Sequence, residues 1–299
     1  MRRALAKLKT LHTDMRGVER ASRRRMLLEA SAVTMSAPEA LYELDGVAFV
    51  PSALARGPWS SDAQHGGPPA ALLARCLDRF ENHGEMFLTR LTVELLRPVP
   101  LSPLTVATHV HRPGRKVQLV GASLAAGTTE VARATALRIR RAAIELPPEA
   151  AIAELPPPAP DEGAASLPPW VTPRQRAFHS DGVEHRFVAG GFDRPGPAVD
   201  WIRLRVPVVA GEETRPVSRV VAAADFGNGV SWVMSRDAGY VFINPDLTVY
   251  LHRHPMGEWV CLDAATYAQP HGVGMAESRL WDERGPIGRS VQSLLVDRR

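Results

Sequence analysis

Cysteine is scarce in this chain, with two residues among 299, and no long apolar run is present. Cys76 and Cys261 give neither a disulfide framework nor the spacing of a metal site, so packed and reduced thiols are expected. A membrane-spanning helix needs roughly 20 consecutive apolar residues, and no stretch approaches that length. The N-terminus also lacks the apolar core of a secretory signal. These absences predict a soluble, cytoplasmic protein without a membrane span.

Positive charge is unevenly distributed along the chain. Residues 1–25 hold nine Lys or Arg and two acidic residues, a local charge of +7, which leaves −3 for the rest of a chain whose total is +4. The body is therefore not a basic surface for nucleic acid. Three alternatives stay open for the N-terminal segment: a disordered or helical extension, a targeting segment, or residues upstream of the true start, since Met26 and Met35 follow.

The sequence repeats itself at a fixed distance. Residues 91–98 (LTVELLRP) match residues 247–255 (LTVYLHRHP), and Thr92 and Thr248 are separated by 248 minus 92, or 156 positions. The same offset relates residues 133–139 (RATALRI) to 289–295 (RSVQSLL). Equal spacing at both ends of a segment indicates a duplicated structural unit.

Periodicity and turn residues predict a similar order of elements in both copies. Residues 42–59 are predicted to be extended, and residues 65–80 carry apolar residues at helical spacing with prolines near the first turn. Four alternating runs separated by turn residues follow, which favours an antiparallel meander. The second copy has strand-like residues 200–209, a helical pattern over 216–234 and four further runs. This is the order of a hotdog fold, in which a curved antiparallel sheet wraps around a long helix.

The predicted fold class is therefore α+β, a double hotdog with two tandem antiparallel sheets, each wrapped around a central helix. A stretch rich in Pro, Ala and Glu without core periodicity separates the copies and is predicted to be a linker. The predicted boundaries are a basic extension over 1–36, a first hotdog over 37–145, the linker over 146–172 and a second hotdog over 173–299.

Four segments carry a resemblance to a known family. They are HGGPPAALL (65–73), HRPGRKVQLVGASL (111–124), AAADFGNG (222–229), and the pair LTVYLHR and RSVQSLLV (247–253 and 289–296). On these segments the chain, from about residue 37 onward, resembles the acyl-CoA thioesterase II-like family of double-hotdog proteins. The resemblance implies hydrolysis of fatty acyl-CoA thioesters to free acid and CoA, no metal or other cofactor, and further association into homo-oligomers.

The resemblance also implies three catalytic positions. The family holds a water with an aspartate, a hydroxyl residue and a glutamine, which fall on Asp225, Thr248 and Gln292. The residues give independent support, because a carboxylate in an otherwise apolar helix is costly unless it is paired or solvated. Strand alternation likewise places the Gln292 amide in an apolar row that requires hydrogen-bond partners.

The first copy is predicted to lack this set. An offset of 156 from the three catalytic positions gives Pro69, Thr92 and Ala136, so a single site in the C-terminal copy is expected. Thr248 has a plainer explanation in the preference of threonine for strands, and Asp225 in a solvent-facing position near the end of its helix.

Two groups are predicted to bind the substrate. At the start of the first helix, unpaired amides and the helix dipole favour negative charge, so His65, Gly66 and Gly67 are candidates for contact with the acyl carbonyl. Turn chemistry at the helix start explains the same residues. Cations flanking a Pro-Gly turn are candidates for the CoA phosphates, although charged hairpin tips are usually solvated; these are Arg112, Arg115 and Lys116.

Other chemistries fit the sequence less well. A hotdog hydratase or dehydratase needs an acid paired with a histidine on the helix segment, and no histidine follows Asp225. A GxSxG elbow and a phosphate-binding GxxxxGK[ST] loop are absent from the sequence. The alternative to an enzyme is a non-catalytic acyl-CoA-binding sensor or carrier that uses the hotdog ligand site.

Overall fold

The structure is a computed structural model that describes residues 39–81, 86–150, 154–169, 175–234 and 239–298. The predicted basic extension, residues 1–36, and residues 151–153 and 170–172 of the predicted linker lie outside the described residues. In the ranges given, no helix is both long and apolar enough to cross a membrane.

The described residues form three α-helices and fourteen β-strands. The helices are α1 (Gly67–Arg79), α2 (Pro216–Ala224) and α3 (Gly227–Val230). The strands are β1 (Tyr42–Asp45), β2 (Ala48–Pro51), β3 (Met86–Leu95), β4 (Leu104–Arg112), β5 (Val117–Ala126), β6 (Thr129–Arg140), β7 (Ala164–Ser166), β8 (Val183–Ala189), β9 (Ala198–Leu204), β10 (Tyr240–Ile243), β11 (Asp246–Leu251), β12 (Trp259–Ala268), β13 (Val273–Asp282) and β14 (Gly285–Arg298).

All of these strands belong to one antiparallel sheet. Its order is β1-β2-β4-β5-β6-β3-β11-β14-β13-β12-β9-β8-β7, and β10 pairs with β14 beside this path. The predicted meander is correct for β4, β5 and β6 and wrong for β3, which pairs with β6 and β11. The connection between β3 and β4, residues 96–103, contains three prolines, which cannot donate to a ladder and so favour a crossing loop over a tight hairpin.

The two copies meet at the pairing of β3 with β11. Thr92 lies directly opposite Thr248 in the antiparallel register, and the Thr248 hydroxyl donates to the Thr92 hydroxyl at 3.2 Å. Two residues related by the repeat thus face each other, as expected when a local twofold axis runs between the copies. The offset of 156 therefore holds for these strands.

The helices pack against one face of the sheet and against each other. α1 contacts β3, β4, β5 and β6, while α2 contacts β9, β11 and β12. The start of α1 approaches Asp225 at the end of α2, and Asp78 near the end of α1 bonds Arg215 at the start of α2. The two helices are therefore antiparallel, and each end of one lies beside the opposite end of the other.

The helix predicted over 216–234 is shorter in the structure. α2 ends at Ala224, and Asp225 is its C-cap; only the four-residue turn α3 follows. The break falls at Asp225 and Phe226, and Gly227 and Gly229 lie in the short turn that follows; glycine costs roughly 1 kcal/mol relative to alanine inside a helix, so this stretch favours a long helix less than the pattern suggests. The break matters because it turns Asp225 and the residues after it toward neighbouring elements.

The Pro-rich segment packs on the other face of the sheet. β7 lies within the range predicted as a linker and pairs with β8. Trp201 donates its indole N–H to the Pro158 carbonyl at 2.8 Å. Trp201, Trp259 and Trp281 form a small buried cluster with Cys261 there. Neither Cys261 nor Cys76 is in a disulfide.

Candidate active site

The buried carboxylate of Asp225 lies at the centre of a hydrogen-bond network. Its side chain is only 4% exposed. Asn244 donates its side-chain amide to Oδ1 at 2.8 Å, Gln292 lies 3.4 Å from the same oxygen, and His65 Nδ1 lies 2.8 Å from Oδ2. A carboxylate has about four lone-pair sites, so one remains for a further donor.

Gln292 is held in one orientation by two backbone groups. Its Oε1 accepts from the Asn228 amide at 3.1 Å, and its Nε2 donates to the Asp225 carbonyl at 3.2 Å. Because the acceptor end is taken by a donor, the amide nitrogen must face Asp225. Gln292 is 1% exposed, so this ordered polar pair is buried in the core. The structure thus brings Asp225 and Gln292 together.

His65 joins the network from the other copy. Its Nδ1 is 2.8 Å from Asp225 Oδ2 and also 3.1 Å from the amide nitrogen of Gly67. One ring nitrogen cannot donate to a carboxylate and accept from an amide at once, so the two bonds are alternatives set by the tautomer. The Nδ1–H tautomer bonds Asp225 and releases the Gly67 amide.

Two aromatic rings fix the imidazole between them. The ring centroid of His65 lies 4.5 Å from that of Phe226 and 5.2 Å from that of Phe178. Phe226 directly follows Asp225, so the break in α2 sets both the acid and one wall of the histidine's pocket. With this packing, His65 is 12% exposed in its side chain.

Gly66 and Gly67 allow the carboxylate to approach the start of α1. A Cβ on Gly66 would lie 2.7 Å from Asp225 Oδ2, and one on Gly67 would lie 2.8 Å from the Ala222 carbonyl oxygen. At both distances a neighbouring atom would have to shift to make room for a side chain. The next two residues are Pro68 and Pro69, which have no amide proton, so the amides of the glycine pair are the donors at this helix start.

Thr248 does not join Asp225 and Gln292, and the prediction that it does is wrong. Its hydroxyl bonds Thr92, while its neighbours Leu247 and Val249 are buried in the core. Successive residues of a strand face opposite sides of the sheet. Thr248 therefore points to the face away from the helices, whereas Gln292 points toward them.

Asn244 takes the place that was predicted for Thr248. It lies between β10 and β11, and its amide donates to Asp225 Oδ1 at 2.8 Å. Asn244 was not predicted from the sequence because Asn-Pro is a common turn signal. Its position in the sequence is informative, because Asn244 precedes Thr248 by four residues, where the chain enters β11, and β11 pairs with the strand that carries Gln292.

The first copy holds a carboxylate that an arginine neutralises. Asp78, in the last turn of α1, is 2% exposed, and Arg215 donates Nε to its Oδ2 at 2.7 Å. The predicted counterpart of Asp225, Pro69, is wrong because the helices begin at 67 and 216, a separation of 149 rather than 156. Ala136 does occupy the strand position that corresponds to Gln292.

The cations predicted to meet CoA phosphates lie at the opposite end of the sheet. Their hairpin adjoins the end of β6, where the Arg140 amide donates to the Lys116 carbonyl at 2.9 Å, and Met86 at the start of β3 pairs with Arg140. The other end of β3, Leu95, bonds Pro245 beside Asn244. Ten residues of strand span about 30 Å. The structure therefore separates Arg112, Arg115 and Lys116 from Asp225.

The described residues contain no group of three or more His, Cys, Asp or Glu side chains arranged to hold a metal ion. An acid–histidine pair is present. It is formed by residues from different copies, His65 and Asp225, and not within one helix segment.

Two domain models match the sequence. The model of the acyl-CoA thioesterase N-terminal domain matches residues 55–139, and that of the acyl-CoA thioesterase C-terminal domain matches residues 149–296. The residues of the network fall within both matches, with His65 in the first and the others in the second. No curated protein matches the chain.

Solved structures share the fold. A protein of unknown function with the hot dog fold from Alicyclobacillus acidocaldarius is 19% identical, with a TM-score of 0.62, covering 86% of this chain and 95% of its own. An acyl-CoA thioesterase II, TesB2, from Mycobacterium marinum is 14% identical, with a TM-score of 0.57 and coverages of 86% and 94%. The tesB protein of Mycobacterium avium subs paratuberculosis is 15% identical, with a TM-score of 0.58 and coverages of 85% and 94%.

Proposed function

The chain belongs to the family of acyl-CoA thioesterases, and on that premise we propose that it hydrolyses acyl-CoA thioesters to the free acid and CoA. The observation that carries this proposal is the buried Asp225 carboxylate, which accepts from Asn244 and Gln292 and lies beside His65 Nδ1. This arrangement leaves one lone-pair site of the carboxylate open for a further hydrogen bond. A water is the donor that thioester hydrolysis requires.

In the proposed reaction the fourth lone-pair site of Asp225 holds the attacking water. The carboxylate orients it and accepts its proton as the oxygen attacks the thioester carbonyl, a role worth roughly two to four powers of ten in rate. Asn244 and Gln292 keep the carboxylate in place. The bond between carbonyl carbon and sulfur then breaks, the proton held by Asp225 passes to the departing sulfur, and CoA and the free acid leave as the two products.

The glycine pair supplies donors for the oxyanion. The Gly67 amide is free when His65 donates to Asp225, and the Gly66 amide lies beside it at the positive end of α1. A pre-organised donor of this kind contributes about 3 to 4 kcal/mol of transition-state stabilisation. When His65 carries its proton on Nδ1, it donates to Asp225 and leaves the Gly67 amide free for the oxyanion. In the other tautomer Nδ1 accepts from the Gly67 amide instead.

The architecture that we propose is a double hotdog with one active site per chain. The first half, 37–145, supplies α1, and the second half, 173–299, supplies α2 and the short α3. The segment 146–172 joins the two halves. The first half gives His65 and the start of α1, the second gives Asp225, Asn244 and Gln292. We place this chemistry in fatty acid metabolism in the cytoplasm, with further association into homo-oligomers.

The pairing of His65 with Asp225 favours a second candidate, reversible hydration of a 2-enoyl thioester. There an acid and a base add water across the double bond, one delivering a proton to the α-carbon and the other taking a proton from the water. Asn244 and Gln292 are donors to Asp225 and add no acid or base of their own to such a reaction.

Two assays distinguish hydrolysis from hydration. Saturated acyl-CoAs of several chain lengths are assayed for release of the CoA thiol, and 2-enoyl-CoAs for loss of the conjugated double bond. We expect thiol release by the wild-type protein and a loss of at least about a hundredfold in Asp225→Asn, with acyl-CoA binding retained. Hydration without thiol release would support the second candidate, and binding without either reaction a sensor or carrier.

A further inference from the structure

A cationic cavity lies at the end of the β3–β11 pair that is remote from Asn244. Its volume is about 610 Å³, and its cations and histidines are Arg140, Arg141, His252, Arg253 and His254. Among the residues that the structure describes, no aspartate or glutamate lines it. An anion entering this cavity therefore meets the positive charge of these arginines.

Two of the arginines are available for a ligand. Arg253 is already neutralised, since it donates Nη1 and Nη2 to the two oxygens of Asp282 at 2.6 Å each. Arg140 and Arg141 are exposed, and neither forms an ion pair within the described part of the chain. Guanidinium groups bind phosphate oxygens with paired N–H bonds, so this pair of neighbouring arginines is suited to an organic phosphate.

A ring platform forms the side of the cavity. The rings of Phe87 and His254 stack with centroids 4.5 Å apart and planes inclined by 28°. The Arg141 guanidinium lies 5.8 Å from the Phe87 centroid and donates toward His254 Nδ1, 3.1 Å away. Burial, and then the positive charge of Arg141, lowers the pKa of His254. The platform is thus apolar, planar and in a positive field, which suits a nucleobase.

The cavity is separate from the carboxylate network. Leu251, on its wall, is seven residues from Asn244, which is about 24 Å of extended chain. It lies instead at the end of the sheet where Asp78 is neutralised by Arg215 and where the hairpin with Arg112 and Arg115 adjoins β6. The local twofold axis relates this end of the molecule to the end that carries Asp225.

We propose that this cavity is a second ligand site that binds the nucleotide portion of a CoA molecule, with Arg140 and Arg141 on the phosphates and the Phe87–His254 stack against the base. The identity of the ligand rests on the proposed function; the preference for a phosphorylated compound with a planar ring does not. On this proposal the first copy has lost the hydrolytic residues and has kept a binding site.

Calorimetric titration of the full-length protein with four probes tests the proposal: CoA, ADP, inorganic phosphate and adenosine. We expect ADP to bind, inorganic phosphate and adenosine to bind at least tenfold more weakly, and CoA to occupy two sites per chain. In Arg140→Glu/Arg141→Glu, ADP affinity falls at least about tenfold, because the charge-assisted contacts to the phosphates are lost, and CoA then fills one site.

Two further variants separate a built site from general charge. Arg97→Glu/Arg133→Glu changes the net charge equally at the other end of β3 and β6 and should leave ADP affinity unchanged. Phe87→Leu should weaken ADP and leave inorganic phosphate unaffected. An equal loss in both double variants, or undiminished ADP binding in Arg140→Glu/Arg141→Glu, overturns the proposal. Since no readout uses hydrolysis, failure here is distinct from failure of the proposed reaction.

Discussion

The close approach of Asp225 to Gly66 allows a prediction with a steric magnitude. A Cβ at position 66 would lie 2.7 Å and 2.8 Å from the two carboxylate oxygens, whereas ordinary contact begins at 3.4 Å. In Gly66→Ala the carboxylate must therefore move by about 0.7 Å, the difference between 3.4 and 2.7. Gly66 already has helical dihedrals (φ −63°, ψ −28°), so the backbone itself accepts alanine.

That displacement should affect rate more than fold. A misplacement of about 1 Å at a reacting group costs roughly a hundredfold, so we expect kcat/KM for acyl-CoA hydrolysis to fall tenfold to a hundredfold. Overpacking should lower the free energy of unfolding by about 1 to 3 kcal/mol. Thiol-release kinetics and thermal unfolding measure the two quantities.

Gly229 provides the matched control. A Cβ there meets no atom within 4 Å, and the residue lies one position beyond the Asn228 amide that holds Gln292. Gly229→Ala should keep kcat/KM within about twofold and leave stability equal or raise it by a few tenths of a kcal/mol. Full activity in Gly66→Ala, or equal losses in both variants, would refute the reasoning.

Three more predictions concern neighbouring groups. Thr248→Val should keep kcat/KM within about twofold and cost at most about 1 kcal/mol of stability, because its hydroxyl bonds Thr92 on the face away from the helices; a hundredfold loss would restore Thr248 to the site. Asn244→Ala should lower kcat about tenfold to a hundredfold, since a buried carboxylate oxygen loses a donor worth roughly 1.5 to 3 kcal/mol; unchanged kinetics would remove Asn244 from the mechanism. The hydrogen bond from Arg75 lowers the pKa of Glu212 below its ordinary 4.5, so its stabilisation is present above that pH and is lost as pH falls through the lower folded value. Urea unfolding at a series of pH values should thus show a shallower acid-side decline in Glu212→Gln, and identical slopes would contradict this.

The strands were predictable because their period and their repeat agree. Thr92 and Thr248 recur at equal spacing in β-type runs, and the structure pairs them with each other. The position of β3 beside β6 was not predictable from a meander pattern, because hydrophobic alternation specifies which face is buried and not which strand lies adjacent.

The site was predictable only in part. The buried acid and amide, Asp225 and Gln292, could be found because each is a polar group in an apolar row. Thr248 was misplaced although Leu247 and Val249 already indicated an outward position for it. His65 stands 160 positions before Asp225, and a contact of that range across two copies leaves no local pattern in the chain.

The most direct test compares the two buried carboxylates that lie near the C-terminal ends of α1 and α2. Asp225→Asn and Asp78→Asn each remove one negative charge from a buried position near the end of a helix. Turnover is measured as thiol release and is corrected, with thermal melts, for the fraction of folded protein. Asp225→Asn should then lose at least about a hundredfold in kcat, while Asp78→Asn keeps kcat within about threefold and loses stability. Near-normal turnover in Asp225→Asn, or equal losses of turnover in the two variants, would contradict a single hydrolytic site built around Asp225.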